Sequence, residues 1–419
     1  MLAIAAFGVG CADVPAQPND PGLQAPPLHG LPSAEGAHIA RIKAINDGAW
    51  LALGAPAPDP KWGSARGRAW GGRALILASG IRGAFFYGEG VHAFVKPDGR
   101  LMDDLWFYDI NAHRWIAVYP GTDTTTFTAR VKRGDLRINE DGQLADAGGQ
   151  PIPVHALIHA WDLLAFDSTL RRFAFGPGVP RLPGRYFLGG LPLMEDGLKL
   201  LEGQRAQQIF PPLSPYFYDL VSGKFVRHAV NMSYPSEFDD FPYFQYVPSQ
   251  RQYLLLGSRG VAAYEPTAAV WSRVNVTGSA PPGYDHGGCY DSKRDRIYLG
   301  AGAPDPTGAL FIYEVKTASW SKPASKGTPP QSFRTNDASI SYDVANDVVT
   351  VFHYADNAIY TWVLATDTWS KQALPSALVT ATTQQSFHAF YDPALNAYFV
   401  YSAADSDDRG VMWVHRYKK

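Results

Sequence analysis

An aromatic residue, six further residues and a second aromatic recur along this chain, and no other feature limits its fold as tightly. The pattern reads Tyr108–Trp115 (YDINAHRW), Tyr218–Phe225 (YDLVSGKF), Tyr264–Trp271 (YEPTAAVW), Tyr313–Trp320 (YEVKTASW) and Trp362–Trp369 (WVLATDTW). Trp271, Trp320 and Trp369 stand 49 residues apart, and Phe225 precedes Trp271 by 46. A chain that repeats itself at a fixed period folds as copies of one unit, because a single unit cannot bury its apolar faces alone.

The most regular copy runs from 283 to 320. Its apolar runs GYDHGGCYD, IYLGAG, GALFIYE and VKTASW are separated by polar or Gly/Pro-containing breaks. The SKRDR break between the first two is a hairpin signal. The start of each unit repeats as well. GGCYDSKRDRIYLG (287–300), SISYDVANDVVTVF (339–352) and HAFYDPALNAYFVY (388–401) align, and YFQYVPSQRQYLLLG (243–257) and LLAFDSTLRRFAFG (163–176) fit the same frame. An aromatic ends the first strand, a polar turn follows, and the apolar second strand often runs into Gly. Four short strands per unit at a period of about 45–50 describe the blade of a β-propeller.

The fold expected is therefore all-β: a single propeller of six four-stranded blades, with seven as the alternative count. Blades are expected to begin near 66, 153, 239, 283, 333 and 385. The 110 residues from Trp115 to Phe225 exceed two periods but hold one set of strand signals, which favours one blade with insertions. A further outer-strand Trp would fall near 418, yet GVMWVHRYKK (410–419) matches a third strand. The missing fourth strand is expected from Asn46–Trp50 (NDGAW), so that the N- and C-terminal strands close the ring and leave no free edge.

DDLWFYDINAHRW (103–115), with YLGAG, YLLLGSRG and ALILASG, resembles the kelch-repeat and galactose-oxidase central-domain propellers over most of residues 40–419. The resemblance implies an architecture, and it implies that the first strand of each blade lines a central channel. It carries over no catalytic residue. Copper-radical chemistry of the galactose-oxidase type would need a Tyr–Cys cross-link, and only Cys289 is available for one.

Composition agrees. Hydrophobic residues (46%) and aromatics (13%) supply a core, while 40 Gly and 33 Pro fit a turn-rich β chain. A net charge of −2 argues against nucleic acid or an anionic membrane as partner. No apolar run reaches the roughly 18 residues that span a bilayer. Residues 1–11 (MLAIAAFGVGC) read as an export or lipoprotein signal, with Cys11 as the lipid-anchor site. Residues 12–35 read as a disordered Pro/Gly-rich tether and 36–419 as the propeller. This places the protein outside a bacterial cytoplasm, secreted or lipid-anchored. Three excursions (81–103, 119–152 and 177–213) fall in the first two blades and should build a wall on one side of the ring.

Polar residues at the starts of inner strands converge on one mouth. They are Arg66, Arg68 and Trp70; His155, His159 and Trp161; Tyr243 and Gln245; Tyr284, Asp285 and His286; Arg334, Asn336 and Asp337; and His388. Three readings compete. The first is binding of a carbohydrate or protein ligand, with Trp70, Arg66, His155, Trp161, Asp285, Asp337 and His388 as contacts. The second is a polysaccharide lyase, in which His286, His159 or Tyr243 moves the proton α to a uronate carboxyl and Arg334 or Arg66 neutralises the carboxylate. The third is a metal site from His159, His286, His388 and Asp285 or Asp337, a donor set that suits zinc or copper, with zinc or calcium as the metals to test. His155 and His159 lie about 13 Å apart along a strand, too far to chelate one ion. Gly287 and Gly288 beside His286 would let a ligand approach the backbone. Trp115, Trp271, Trp320 and Trp369 are expected to pack between blades, and His113 to be solvated. No P-loop, Rossmann or G-x-S-x-G pattern is present.

Overall fold

The computed structural model describes residues 28–68, 73–87, 94–95, 100–101, 104–121, 124–140, 144–152, 162–176, 196–197, 199–201, 215–227, 242–303, 308–335, 337–380, 387–403 and 409–419. Trp70, His155, His159, Trp161, Asn336 and Cys11 lie outside them, as do residues 1–27.

Among the described residues the strands form six four-stranded antiparallel sheets and two two-stranded pairs. The helix α1 (Ala37–Lys43) and the strand β1 (Trp50–Gly54) come first. Blade one is β2 (Leu75–Ala78), β3 (Gly83–Tyr87), β6 (Leu105–Asp109) and β7 (Arg114–Tyr119), with a small pair β4 (Phe94–Val95) and β5 (Arg100–Leu101) inside it. The helix α2 (Thr124–Arg133) and the pair β8 (Leu136–Ile138) and β9 (Leu144–Asp146) follow. Blade two is β10 (Leu164–Asp167), β11 (Arg172–Phe175), β12 (Tyr216–Asp219) and β13 (Lys224–Arg227). Blade three is β14 (Tyr243–Val247), β15 (Gln252–Gly257), β16 (Gly260–Glu265) and β17 (Val270–Val274). Blade four is β18 (Gly288–Asp291), β19 (Arg296–Gly300), β20 (Leu310–Glu314) and β21 (Ser319–Ser321). Blade five is β22 (Ala338–Asp343), β23 (Val348–His353), β24 (Ala358–Val363) and β25 (Thr368–Ala373). Blade six is β26 (Phe387–Asp392), β27 (Ala397–Ser402) and β28 (Val411–His415), and β1 completes it by pairing Trp50 with His415.

The protein is thus a six-bladed β-propeller, closed by its N- and C-terminal strands as the sequence leads one to expect. Between β28 and β1, Gly48 takes φ 68° two residues before Trp50 and donates its N–H to Arg416 O. This reproduces the hairpin turns of other blades, where His113, Ala269, Ala318 and Asp367 take φ of 49–57° two residues before their Trp. Each repeated aromatic pair is a cross-strand pair. Tyr108 faces Trp115, Tyr218 faces Phe225, Tyr264 faces Trp271, Tyr313 faces Trp320 and Trp362 faces Trp369. Trp115, Trp271, Trp320 and Trp369 are all buried, as expected.

Three outer Trp residues also anchor latches between blades. The segment after an outer strand crosses to the outer strand of the next blade and forms one parallel bridge: Ala57 with Arg114, Thr277 with Ser319, Lys326 with Thr368. In each, the Trp N–H donates to the incoming carbonyl, as from Trp320 to Thr277 O at 2.8 Å. Gly278 and Gly327 turn the chain away at φ 78° and 79°, and a Cβ there would meet the carbonyl oxygens of Trp320 and Trp369 at 2.3 and 2.6 Å. Only glycine fits.

Two boundaries differ from expectation. Leu28 and Leu31 are buried in the core of blades one and two, and Ser33 Oγ donates to Asp109 Oδ1 at 2.8 Å, so packing of the body begins before residue 36. The inner strand of blade one begins at Leu75 rather than near 66, and that of blade two at Leu164 rather than near 153.

The inner strand of each blade runs away from one end of the ring, here called the mouth. The connections β3–β6, β7–β10 and β11–β12 are the longest, and all have both ends at the mouth of blades one and two. Within them, Gly197 N–H donates to Thr128 Oγ1 of α2 at 3.1 Å, joining the second excursion to the third. His113 is not solvated. It sits half-buried in the β6–β7 turn, bonded to the Tyr108 hydroxyl, and burial with nearby His38 and Arg41 lowers its pKa to about 4.

Candidate functional site at the channel mouth

A cavity of about 240 Å³ is lined by residues of β2, β10, β14, β18, β22 and β26, the innermost strand of every blade. The first strand of each blade therefore lines the central channel, as the family resemblance implies.

Three of the expected residues meet at its mouth. Asp285 is almost fully buried, on a left-handed backbone with φ 68°. A non-glycine residue in that region is uncommon, and such strain collects at functional positions. Arg334 Nε and Nη2 both reach Asp285 Oδ2 at 3.1 Å. Arg334 Nη1 lies 3.9 Å from Asp337 Oδ2, which accepts from Ser332 Oγ at 2.5 Å. Asp285 Oδ1 is buried and has no hydrogen-bond partner among the described residues. Burial raises the Asp285 pKa well above the carboxylate range. Arg334 pulls it only partly back, and Asp162 and Asp337 push it further up. Beside Asp285, Tyr284 is 44% exposed, an aromatic ring on the rim.

Other expected residues lie in separate settings. His286 is buried and its Nδ1 lies 2.9 Å from Gly300 O. Gly287 and Gly288 give a ligand no approach. A Cβ on Gly287 would meet Phe333 O at 2.6 Å, and one on Gly288 would meet Tyr298 O at 2.7 Å, so these glycines let neighbouring strands pack closely. His388 is fully buried at the seam of blades six and one, with Nε2 3.2 Å from Arg68 O. Arg68 is also fully buried and pairs with Asp104 at 2.8 Å, while Arg66 supplies the carbonyl that Arg68 Nη1 binds. Tyr243 is fully buried and donates to Gln245 Oε1 at 2.7 Å. Burial raises its pKa, so the phenol stays protonated. Among the described residues no group of three His, Cys, Asp or Glu side chains could hold a metal ion.

Two charged residues escaped the sequence reading. Asp162 is buried and accepts from Gly288 N–H at 3.2 Å and Thr335 Oγ1 at 3.0 Å. Burial lifts its pKa to about 6, against the pull of Arg73 and those two bonds. Arg73 stacks on Tyr243 at 4.7 Å and donates to Gln245 Oε1 at 3.2 Å. Each stands just before an apolar inner strand, in RALILA and DLLAFD. That position is the signal that could have found them.

The sheets define the class as a six-bladed propeller. No family model matches the chain, and no curated protein matches it. The kelch and galactose-oxidase resemblance is therefore supported at the level of propeller architecture. Among solved structures, a structural genomics protein of unknown function from Bacteroides thetaiotaomicron is 9% identical, covering 87% of this chain and 75% of that one, with a TM-score of 0.46. A streptogramin B lyase is 8% identical, covering 88% of this chain and 97% of that one, with a TM-score of 0.41. At such identities and scores neither likeness bears on activity. No helix among the described residues is long and apolar enough to cross a membrane.

Proposed function

We propose that this protein is an extracytoplasmic binding propeller that holds a carbohydrate at the mouth of its channel. The observation that carries the reading is the unengaged carboxyl oxygen of Asp285, buried beside an exposed tyrosine. A sugar presents an apolar ring face and a fringe of hydroxyls. Tyr284 offers a ring to the face. Asp285 Oδ1 and Arg334 Nη1 offer fixed polar groups to the hydroxyls, in a strained and preorganised setting. The leader-like residues 1–11 and the Pro/Gly-rich stretch after them support export or lipid anchoring at Cys11, which makes a surface or extracellular glycan the natural partner.

The rival reading is cleavage of a uronate-containing glycan by β-elimination. It needs a base that can reach substrate. Tyr243 is buried, protonated and already donating to Gln245, and the His286 ring is buried against a backbone carbonyl. This arrangement favours binding over proton abstraction.

Calorimetric titration of the full chain with a panel of neutral and acidic oligosaccharides tests the proposal, with absorbance near 235 nm followed in parallel. Binding is expected with no rise in absorbance. Asp285→Asn keeps a hydrogen-bonding group of the same shape and should bind within a few-fold of wild type, while Asp285→Ala should lose at least tenfold. A steady rise at 235 nm, or full binding by Asp285→Ala, would overturn it.

A further inference from the structure

The channel below the mouth holds a buried guanidinium nitrogen with no hydrogen-bond partner among the described residues. Among the described side chains lining the cavity of about 240 Å³, Arg73 alone is charged. Its guanidinium is fixed on two sides. The ring of Tyr243 lies 4.7 Å beneath it, and Nη2 donates to Gln245 Oε1 at 3.2 Å. Gln245 cannot shift to serve it further. The same Oε1 accepts from the Tyr243 hydroxyl, and Gln245 Nε2 donates to Tyr246 O at 2.7 Å. Arg73 Nη1 is buried and has no hydrogen-bond partner among the described residues. The nearby carboxylate, Asp162, does not line the cavity, and both its oxygens are engaged by Gly288 and Thr335. A fixed guanidinium with an open N–H is a receptor for a carboxylate.

The walls limit what else the ligand can be. Tyr290, Tyr342 and Tyr391 line the cavity, but their hydroxyls donate away from it to Asp295, Asp347 and Asn396. They present rings rather than polar groups, as do Phe166 and Phe390. The volume is below the roughly 300–1,000 Å³ of pockets for drug-sized ligands.

We infer that the central channel is a second binding site, separate from the rim, that takes a small monocarboxylate with its carboxyl on Arg73 and its apolar part against the aromatic wall. The inference does not depend on the rim binding a glycan.

The experiment is calorimetric titration of the full chain with acetate and benzoate, with acetamide as the neutral shape control. Saturable binding of one carboxylate is expected, with acetamide at least tenfold weaker. Arg73→Gln should lose the carboxylate at least tenfold and keep any glycan binding at the rim. A second readout needs no variant. Cys289 lines the same cavity, so bound carboxylate should slow its modification by methyl methanethiosulfonate several-fold, read by mass on the peptide that contains it. The inference is overturned if neither carboxylate binds wild type, if acetamide binds equally well, or if Arg73→Gln binds as wild type does. Should Arg73→Gln not fold, unchanged Cys289 modification in saturating carboxylate would overturn it.

Discussion

The two ends of the channel treat their carboxylates in opposite ways. At the far end, where inner hairpins turn, each inner strand of blades two, four, five and six finishes in an aspartate whose oxygens are filled. Asp291 accepts from Lys293 and Arg294 N–H groups, from the Arg294 side chain and from the Tyr298 hydroxyl. Asp167 takes two turn N–H groups and the Tyr253 hydroxyl of blade three. Asp343 takes the Tyr398 hydroxyl of blade six, and Asp392 takes Arg82 of blade one. Arg294 spans blades four and five to Asp347. These groups fasten blade to blade. Among the described residues, Asp285 at the mouth keeps one oxygen without a partner and Arg73 inside the channel keeps Nη1 without one. A buried polar group left unmatched costs stability, about 1–3 kcal/mol each. The far-end aspartates, with their oxygens engaged, hold the ring together, while the open oxygen of Asp285 is placed to hold something else.

The contrast is most sharply broken from the structural end. Asp291→Ala strands the buried Tyr298 hydroxyl and two turn N–H groups, and should destabilise the protein by about 3 kcal/mol. Denaturant unfolding measures this, and mouth binding by the folded fraction should not change. A loss below about 1 kcal/mol would mean that the far end is not the fastening end.

Acidity separates the ends next. Asp162 titrates near pH 6 in the folded protein against about 3.8 in the unfolded chain. Between those values the folded state holds a proton that the unfolded state has released, so stability falls as pH rises from about 4 to 6. Asp162→Asn should remove this slope and stabilise the protein at pH 7 by at most about 3 kcal/mol, given about 1.36 kcal/mol per pKa unit. Asp347 behaves in reverse. Hydrogen bonds from Arg294 hold it down at about 2, so it stabilises above pH 4 and the benefit fades as pH falls toward 2. Because it is partly exposed, the effect should stay near 1 kcal/mol or below. Unfolding curves of Asp162→Asn and Asp347→Asn from pH 2 to 7 should flatten opposite limbs. Flattening of the same limb by both would remove the distinction.

The gentlest test is Tyr284→Ala. Stability should stay within about 0.5 kcal/mol, since the ring packs little, while glycan affinity falls about tenfold or more.

The architecture was legible because aromatic pairs across the outer hairpins recur at a fixed period, and every copy needs the same partner. Tyr264–Trp271 and Tyr313–Trp320 could be read directly. The aspartates of the far end were in plain sight in the repeated YD and FD steps, yet turn chemistry alone accounts for an aspartate there. What sequence could not show is that Tyr253 and Tyr398 reach them from a neighbouring blade. The mouth was read in part. Asp285, Arg334 and Asp337 do meet, because their strands start together. Arg73 and Asp162 were missed, because the run through Trp70 and Trp161 obscures where those strands begin. His353 was missed too, at the mouth end of β23, 3.4 Å from Asp356 and with burial lowering its pKa. One histidine in VVTVFHYADN carries no spacing signal.

The pairing of Trp50 with His415 sets the timetable of folding. Blades three to five are each built from one uninterrupted stretch and can form as that stretch leaves the ribosome. Blade six cannot, because its outer strand is made before all five other blades and its inner three after them. The partner of β28 must wait, unpaired, through the synthesis of more than 350 residues. A contact of such sequence separation is slow to form. Until it does, β1 and the exposed flank of the growing ring are an open invitation to a second chain. The tens of seconds or more before closure are therefore when this protein most needs a chaperone, and its production should respond to growth temperature more steeply than the stability of the finished ring would require.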